Sequence, residues 1–314
     1  MRRVFGIGET VYDIIFRNEQ PIAAVPGGSV FNGLISLGRL GIEGALISEL
    51  GDDRVGDTIK RFLVENGVSS EYMSSYKGTK TAISLAYLDD NNDASYSFYK
   101  DYPNVRLDFA MPPIKPNDVV MFGSYYSLNP VLRPQVRAFL DYAKSCGAIL
   151  YYDLNFRDNH KSEVEKITET INDNYRLADI VRGSEDDFRT LYGIIDIDKI
   201  FHEKISPYCG CFICTCGSRN VELRHNSFVK SYLVNSVEAV STVGAGDNFN
   251  AGIVFGIIRD NITRERFETL DEGGWDCLIR CGIDFGSEAC KNISNYISRG
   301  FAKKQALSYS KSAK

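Results

Sequence analysis

The residues best placed to do chemistry are concentrated in Ser241–Gly252, which reads STVGAGDNFNAG. Gly244 and Gly246 let the backbone turn tightly and leave no Cβ in the way of a close ligand. The apolar run FNAGIVFGII that follows predicts a buried helix, so the amides of Gly244, Ala245 and Gly246 fall at its N-terminus. Unpaired N–H groups and the positive end of the helix dipole together make an anion site there. Asp247 lies in the first helical turn beside that site. Such an acid can simply complement the helix dipole. Beside a transferring phosphoryl group it can instead accept the proton of an attacking hydroxyl. The rest of the chain has to distinguish the two.

Other reactive residues point elsewhere. Cys209, Cys211, Cys214 and Cys216 crowd into CGCFICTC. In a strand the first two point one way and the last two the other, so the four do not converge on one tetrahedral ion. The stretch reads as a buried strand ending in the turn GSRN. Cys277 and Cys281, at helical spacing, read as core. Only three histidines are present, His160, His202 and His225. All lie in polar or helix-start settings and read as surface residues. With no Gly-x-Ser-x-Gly elbow either, a serine hydrolase is excluded. GIGETV lacks the third glycine of a dinucleotide fingerprint, because Val11 takes its place.

The elements that must position these residues alternate. RVFGIG, GALISELG, DVVMFGS, AILYYDLN and DIVRG read as strands, with amphipathic helices between them, the pattern of parallel βαβ units. SEDDFRTLYG predicts a helix capped by Ser184. Two stretches break the rhythm, about 10–25 and 76–105, where apolar and polar residues alternate without a helix. The second holds a hairpin signal around the turn DDNND. Two such inserts predict a small sheet standing off the main domain, in the manner of a lid. The tail KKQALSYSKSAK is polar and reads as frayed. A net charge of −5 over 314 residues, with no basic stripe, excludes nucleic acid as the main partner. No apolar run approaches about 18 residues, so no membrane span is expected. The first residues lack a secretory apolar stretch, so a cytoplasmic protein with reduced thiols is expected.

Four motifs carry a resemblance. STVGAGDNFNAG resembles the C-terminal signature of the PfkB, or ribokinase-like, carbohydrate kinases, whose usual form is Asp-Thr-x-Gly-Ala-Gly-Asp. PGGSVFNGLISLGRLG, Pro26–Gly41, resembles the N-terminal signature of that family. GIGETVYDII resembles its opening strand, which leads to a sugar-binding aspartate. YYDLNFR resembles the Asp-x-Asn-x-Arg segment of fructokinase-type members. They occur in the family's order and span nearly the whole chain.

The resemblance implies one α/β kinase domain over 1–314: a ribokinase-like three-layer αβα fold, with a mostly parallel central sheet and a small β-sheet lid. It implies transfer of the γ-phosphoryl of ATP, with Mg²⁺, to a hydroxyl of a small sugar. Fructose is the first choice of acceptor, giving fructose 6-phosphate; 2-keto-3-deoxygluconate, ribose or a nucleoside are the alternatives, as is a non-catalytic sugar sensor. By position, Asp247 would be the general base and the amides of Gly244, Ala245 and Gly246 the anion hole. Asp13, Gly27, Gly28 and Asn32 would line the sugar pocket, with Lys100 at the end of the lid hairpin. Asp153, Asn155 and Arg157 would sit near the phosphates and the acceptor. Thr215 and Gly217 match the start of the nucleotide loop, and Asn292 the adenine side. The family's Asn-x-x-Glu segment falls at Ser184–Asp187, leaving Asp187, or Glu185 in its stead, as the Mg²⁺ contact. Asn220 stands where a second loop glycine is common. Ser241 replaces the signature's first aspartate, whose segment helps bind a monovalent cation, so K⁺ activation stays open. The aromatic lid residues Tyr87, Tyr96, Phe98 and Tyr99 imply a homodimer paired through the lid.

Overall fold

Runs rich in Val, Ile, Leu and Phe become buried strands wherever helices can cover both faces of the sheet they form. The computed structural model describes residues 2–312 apart from 90–93, 105 and 236. The chain opens with β1 (Val4–Ile7), β2 (Val11–Arg17), β3 (Gln20–Gly27), α1 (Ser29–Arg39) and β4 (Gly44–Gly51). It continues through α2 (Arg54–Glu65), β5 (Val68–Ser69), β6 (Met73–Tyr76), β7 (Lys80–Leu88) and β8 (Ala94–Asp101). Then come β9 (Val119–Gly123), α3 (Arg133–Ser145), β10 (Ile149–Asp153), α4 (Val164–Leu177), β11 (Ile180–Ser184) and α5 (Glu185–Tyr192). The last part holds α6 (Ile197–Ile200), β12 (Cys211–Cys216), β13 (Asn220–His225), β14 (Phe228–Leu233), α7 (Ala245–Arg259), α8 (Glu272–Ala289) and α9 (Arg299–Ser312).

Ten strands form the main sheet in the order β14-β13-β12-β11-β10-β9-β1-β4-β5, with β6 also paired to β4. It is parallel from β12 to β5, and at the other edge β13 pairs antiparallel with both β12 and β14. The parallel strands β1, β9 and β10 are buried at every residue, which is why they read as continuous apolar runs. Helix α7 packs on α1 and α8, and α3 packs on α4. A second sheet, β3-β2-β7-β8, stands apart with its own small core of Ile15, Ala86 and Leu88, packed against Tyr96, Val243 and Ile293. Chain reversal from β2 to β3 and the parallel pairing of β2 with β7 unite the two inserts in one lid.

Three expectations change at the edges. Residues 76–79 do not belong to the lid, because β6 pairs with β4 in the main sheet and the second insert begins at Lys80. The hairpin tip within DDNND lies outside the described residues. The polar tail read as frayed forms α9, seated by Phe301 against Phe285. CFICTC is the strand it reads as, and its three cysteines are buried along with Cys209 just before it, whereas Cys277, read as core, is exposed.

Candidate active site

The chain leaves β1 toward β4 on one side while β9 pairs on the other, and ligands of open α/β sheets bind outside the carboxyl ends of strands at such a reversal. A cleft of about 560 Å³ opens there, between the strand ends, the start of α7 and the inner face of the lid. Lid residues Tyr96, Phe98 and Lys100 alternate along β8, so all three face it, together with Val11 and Asp13 of β2.

Helix α7 begins at Gly244, whose φ of 79° lies in the left-handed region and where a Cβ would stand 2.7 Å from the Asn295 carbonyl oxygen. Only glycine turns the chain into the helix there. One turn of α1 brings Asn32 to Asp247, and its Nδ2 donates to Asp247 Oδ2 at 2.8 Å. Burial pushes the Asp247 carboxyl up to about 7, against the pull of that hydrogen bond and of two arginines. The Asn32 Oδ1 is buried without a partner, an acceptor left over for a hydroxyl. Asp13 is buried on the lid, holding hydrogen bonds from Ser84 and, at 3.0 Å, from Asn295 Nδ2. Burial outweighs both bonds and lifts its carboxyl to about 6.

Behind the turn that starts α7 lies an arginine that sequence reasoning missed. Arg182, buried on β11, donates to Asp153 at 3.0 and 3.2 Å and to Thr215 Oγ1 at 2.5 Å. Its Nη2 lies 3.0 Å from where a Cβ on Gly246 would stand, so the guanidinium packs against Gly246. A readable signal existed: an arginine inside the otherwise apolar strand DIVRG. Glu9, in the stretch GET, was also missed; it lines the cleft and pairs with Lys100. Arg157 reaches the cleft from the exposed side, with its guanidinium 5.7 Å from the centre of the Tyr96 ring. Asn155 lines the cleft too, at a φ of 37°.

Not every expected residue faces the cleft. Gly28, Asn32, Lys100, Asn155, Arg157, Ser184, Asp187, Gly244, Gly246, Asp247 and Asp13 do. Asp153 and Thr215 instead hold Arg182. Gly27 and Ala245 are not among the residues lining the cleft, and Gly217 turns at a φ of 60° after β12. Asn292 accepts the Ser294 N–H at 3.0 Å, outside the cleft. Glu185 is turned away, paired with Arg219 and Arg189. Asp187 and Ser184 form a reciprocal cap on α5, and the Asp187 oxygens accept the amides of Phe156 at 2.8 Å and Ser184 at 2.6 Å. Among the histidines read as surface residues, His160 stacks on Tyr125 in the cleft at 3.6 Å, and His225 is buried. Among the described residues, no cluster of three or more His, Cys, Asp or Glu could hold a metal by itself, and no helix is long and apolar enough to cross a membrane.

A larger hollow, about 900 Å³, opens at the opposite ends of β10–β12. Its cations are occupied: Arg264 by Asp179 at 3.0 Å, and Lys144 by carbonyls ending α4 at 2.8 and 3.1 Å. Among the described residues, Asp247 and the glycines at the head of α7 line the first cleft and not this hollow.

Comparison with known proteins bears on the family and the fold. The family model described as pfkB family carbohydrate kinase matches residues 1–290. Probable fructokinase-4 of Arabidopsis thaliana is 27% identical over 275 residues, covering 84% of this chain and 82% of its own. Fructokinase from Vibrio cholerae, solved in a form with fructose, ADP and calcium bound, superposes with a TM-score of 0.84 at 19% identity, over 98% of this chain and 99% of that one. Aminoimidazole riboside kinase from Salmonella enterica, solved with aminoimidazole riboside and an ATP analogue, gives 0.82 at 21% identity, over 98% and 100%.

Proposed function

The chain belongs to the pfkB family of carbohydrate kinases, and from that premise we propose that it phosphorylates a small sugar, with fructose giving fructose 6-phosphate as the first choice. The observation that carries the reading is the pair formed by Asp247, held by Asn32, and the glycine-bounded amides at the head of α7.

In this mechanism ATP lies with its γ-phosphoryl against the amides of Gly244, Ala245 and Gly246, and Arg182 beneath them adds positive charge. The sugar lies under the lid, its hydroxyls bonded to Asp13, which Ser84 and Asn295 orient, and to the free Oδ1 of Asn32. One hydroxyl oxygen attacks the γ-phosphorus while the bond to the bridging oxygen of the β-phosphate breaks. ADP leaves with that electron pair, and the hydroxyl proton passes to Asp247. Little covalent chemistry is asked of the protein; alignment, charge neutralisation and exclusion of water by the lid supply the rate.

Mg²⁺ keeps most of its waters and takes few protein ligands in such sites. Asp187 and Asp186, both in the cleft, suit that mode, because each Asp187 oxygen spends one lone pair on a backbone amide and keeps another for a metal-bound water. When bound, the ion neutralises charge on the phosphates. Glu185 is not part of this set. Ser241 is buried and accepts the Val243 N–H at 3.2 Å, offering a hydroxyl where a monovalent-cation site would have a carboxylate. K⁺ is therefore expected to change turnover less than about twofold. Tyr99 and Ile22, 62% and 43% exposed on the lid, support pairing of two chains there.

The test is ATP-dependent ADP formation against fructose, ribose, 2-keto-3-deoxygluconate, glucose, adenosine and fructose 6-phosphate, with and without K⁺. Fructose is expected to give the highest kcat/KM. Turnover confined to another acceptor would replace fructose, and folded, ATP-binding protein silent on all six would overturn the catalytic reading.

A further inference from the structure

One wall of the cleft is held more firmly than the transfer mechanism above requires. β9 ends at Gly123 and β10 at Asp153, and the cleft-lining residues just beyond them, Ser124 and Asn155, take φ values of 50° and 37°. A residue with a side chain is held in that left-handed region at a cost, and such residues collect at functional sites. Tyr125 follows Ser124, and the 3₁₀ turn Asp158–Glu163 that follows Asn155 carries His160. The two rings stack at 3.6 Å with 3° between their planes, and both line the cleft. Glu163 fixes them together: its Oε2 accepts the Tyr125 hydroxyl at 2.6 Å, and its Oε1 meets His160 Nδ1 at 3.0 Å.

Those two partners hold the Glu163 carboxyl below its usual range, so it is ionised and can only accept. His160 Nδ1 therefore carries the ring proton, and Nε2 of the neutral ring is left with a lone pair. Nε2 has no partner among the described residues, and the His160 side chain is 22% exposed, so a ligand can reach it.

We propose that His160 is an acceptor-recognition residue: its Nε2 takes a hydrogen bond from a hydroxyl of the sugar other than the one that is phosphorylated. The inference rests on the kinase reading above and narrows which groups the acceptor must carry. A lone pair needs a donor. The phosphates of ATP have none to give, whereas a sugar is rich in hydroxyls. The ribose and adenine donors lie, on the kinase reading, toward the loop after β12. Tyr125 instead follows β9, which pairs with β1 beside the acceptor residues Asp13 and Asn32. Arg157, in the same cleft, can meet a charge on the acceptor, but His160 asks only for a hydroxyl, so neutral and acidic sugars both satisfy it.

Two rival roles make different forecasts. If the stack only braces the 3₁₀ turn, losing His160 disturbs every substrate alike. If a protonated His160 serves the phosphates, losing it raises the KM for ATP and spares the acceptor.

The experiment compares the full chain with His160→Leu, using Mg²⁺, ATP, the best acceptor of the panel above and its monodeoxy analogues, each lacking one hydroxyl that does not react. In the wild type one analogue is expected to lose roughly tenfold in kcat/KM, the scale of a hydrogen bond whose partner is left unpaired. In His160→Leu the parent sugar loses about as much, that analogue loses nothing further, and the KM for ATP stays within about twofold. Comparing analogues within each protein cancels whatever the substitution does to the fold at large. The ¹⁵N signals of the labelled imidazoles, at about pH 8 where an ordinary imidazole is neutral, are expected to show His160 protonated at Nδ1. With three histidines in the chain, its signals are assigned by their loss in His160→Leu. An analogue pattern identical in the two proteins, a raised KM for ATP with the acceptor spared, or a proton on Nε2 overturns the proposal. Failure of the kinase reading looks different: no acceptor turns over. Calorimetric binding of fructose and its monodeoxy analogues then decides, for the proposal if one analogue binds about tenfold more weakly than fructose to the wild type but equally to His160→Leu, and against it in every other case.

Discussion

At the scale of single residues, Asp247 is a carboxylate that the fold makes uncomfortable. Burial favours its protonated form and raises the carboxyl to about 7, while Asn32 offers only one compensating hydrogen bond. A base has to be ionised to act, so kcat/KM is expected to climb with pH and reach half its plateau near 7. A flat profile between pH 5.5 and 8 would say that Asp247 is not the group whose ionisation limits the reaction. The same shift has a stability consequence with a fixed sign. Because the folded carboxyl lies above its ordinary value, the favourable contribution of the protonated form is complete at low pH and is lost as pH rises through about 7. Asp247→Asn cannot ionise and is therefore expected to be more stable than the wild type at pH 8, by on the order of 1 kcal/mol or about 2 °C in Tm. An equal or lower Tm by scanning calorimetry would contradict this. Asp247, Asn32 and Asp13 were legible in the sequence because their motifs are local. Arg182 showed only as an arginine in an apolar strand and Glu9 not at all, because what they do depends on partners far along the chain: Arg182 reaches Asp153 and Thr215 on neighbouring strands, and Glu9 reaches Lys100 on the lid.

At the scale of elements, the site is built by the start of α7, and that start depends on one backbone conformation. Gly244 at φ 79° faces the Asn295 carbonyl so closely that any side chain collides. Gly244→Ala is expected to cost about 1–3 kcal/mol in urea denaturation through backbone strain. By moving the amides it should also lower kcat by about a hundredfold or more. Near-normal turnover would mean that the amides do not hold the phosphoryl group. The lid is anchored by a buried hub at its base, where Arg106, just beyond β8, meets Glu49 of β4, which Tyr76 also bonds at 2.7 Å. Periodicity alone gave the βαβ order and the hairpin, since apolar alternation is a property of each segment. It could not assign β6, whose place beside β4 follows from long-range pairing rather than from any local pattern. The cleft-facing set was likewise only half readable: once β8 is a strand, Tyr96, Phe98 and Lys100 must share a face, but which face looks inward depends on how the lid is hung.

At the scale of the whole molecule, the lid raises the question of assembly. Its inner aromatics face the cleft, so the surface left for a second copy is smaller than the aromatic count implies, with Tyr99 and Ile22 the main outward apolar groups. A dimer through that face is expected to give twice the chain mass by light scattering at micromolar concentration, and Tyr99→Asp to return it to a monomer. A wild-type monomer would remove the lid-paired assembly while leaving the chemistry untouched. The chemistry itself is tested most directly by comparing the wild type with Asp247→Asn, measuring kcat on fructose and ATP alongside the Kd of each ligand. Loss of a general base is expected to lower kcat by about two to four orders of magnitude while both Kd values stay within about threefold. Near-normal kcat in Asp247→Asn, with both ligands bound, would contradict the account.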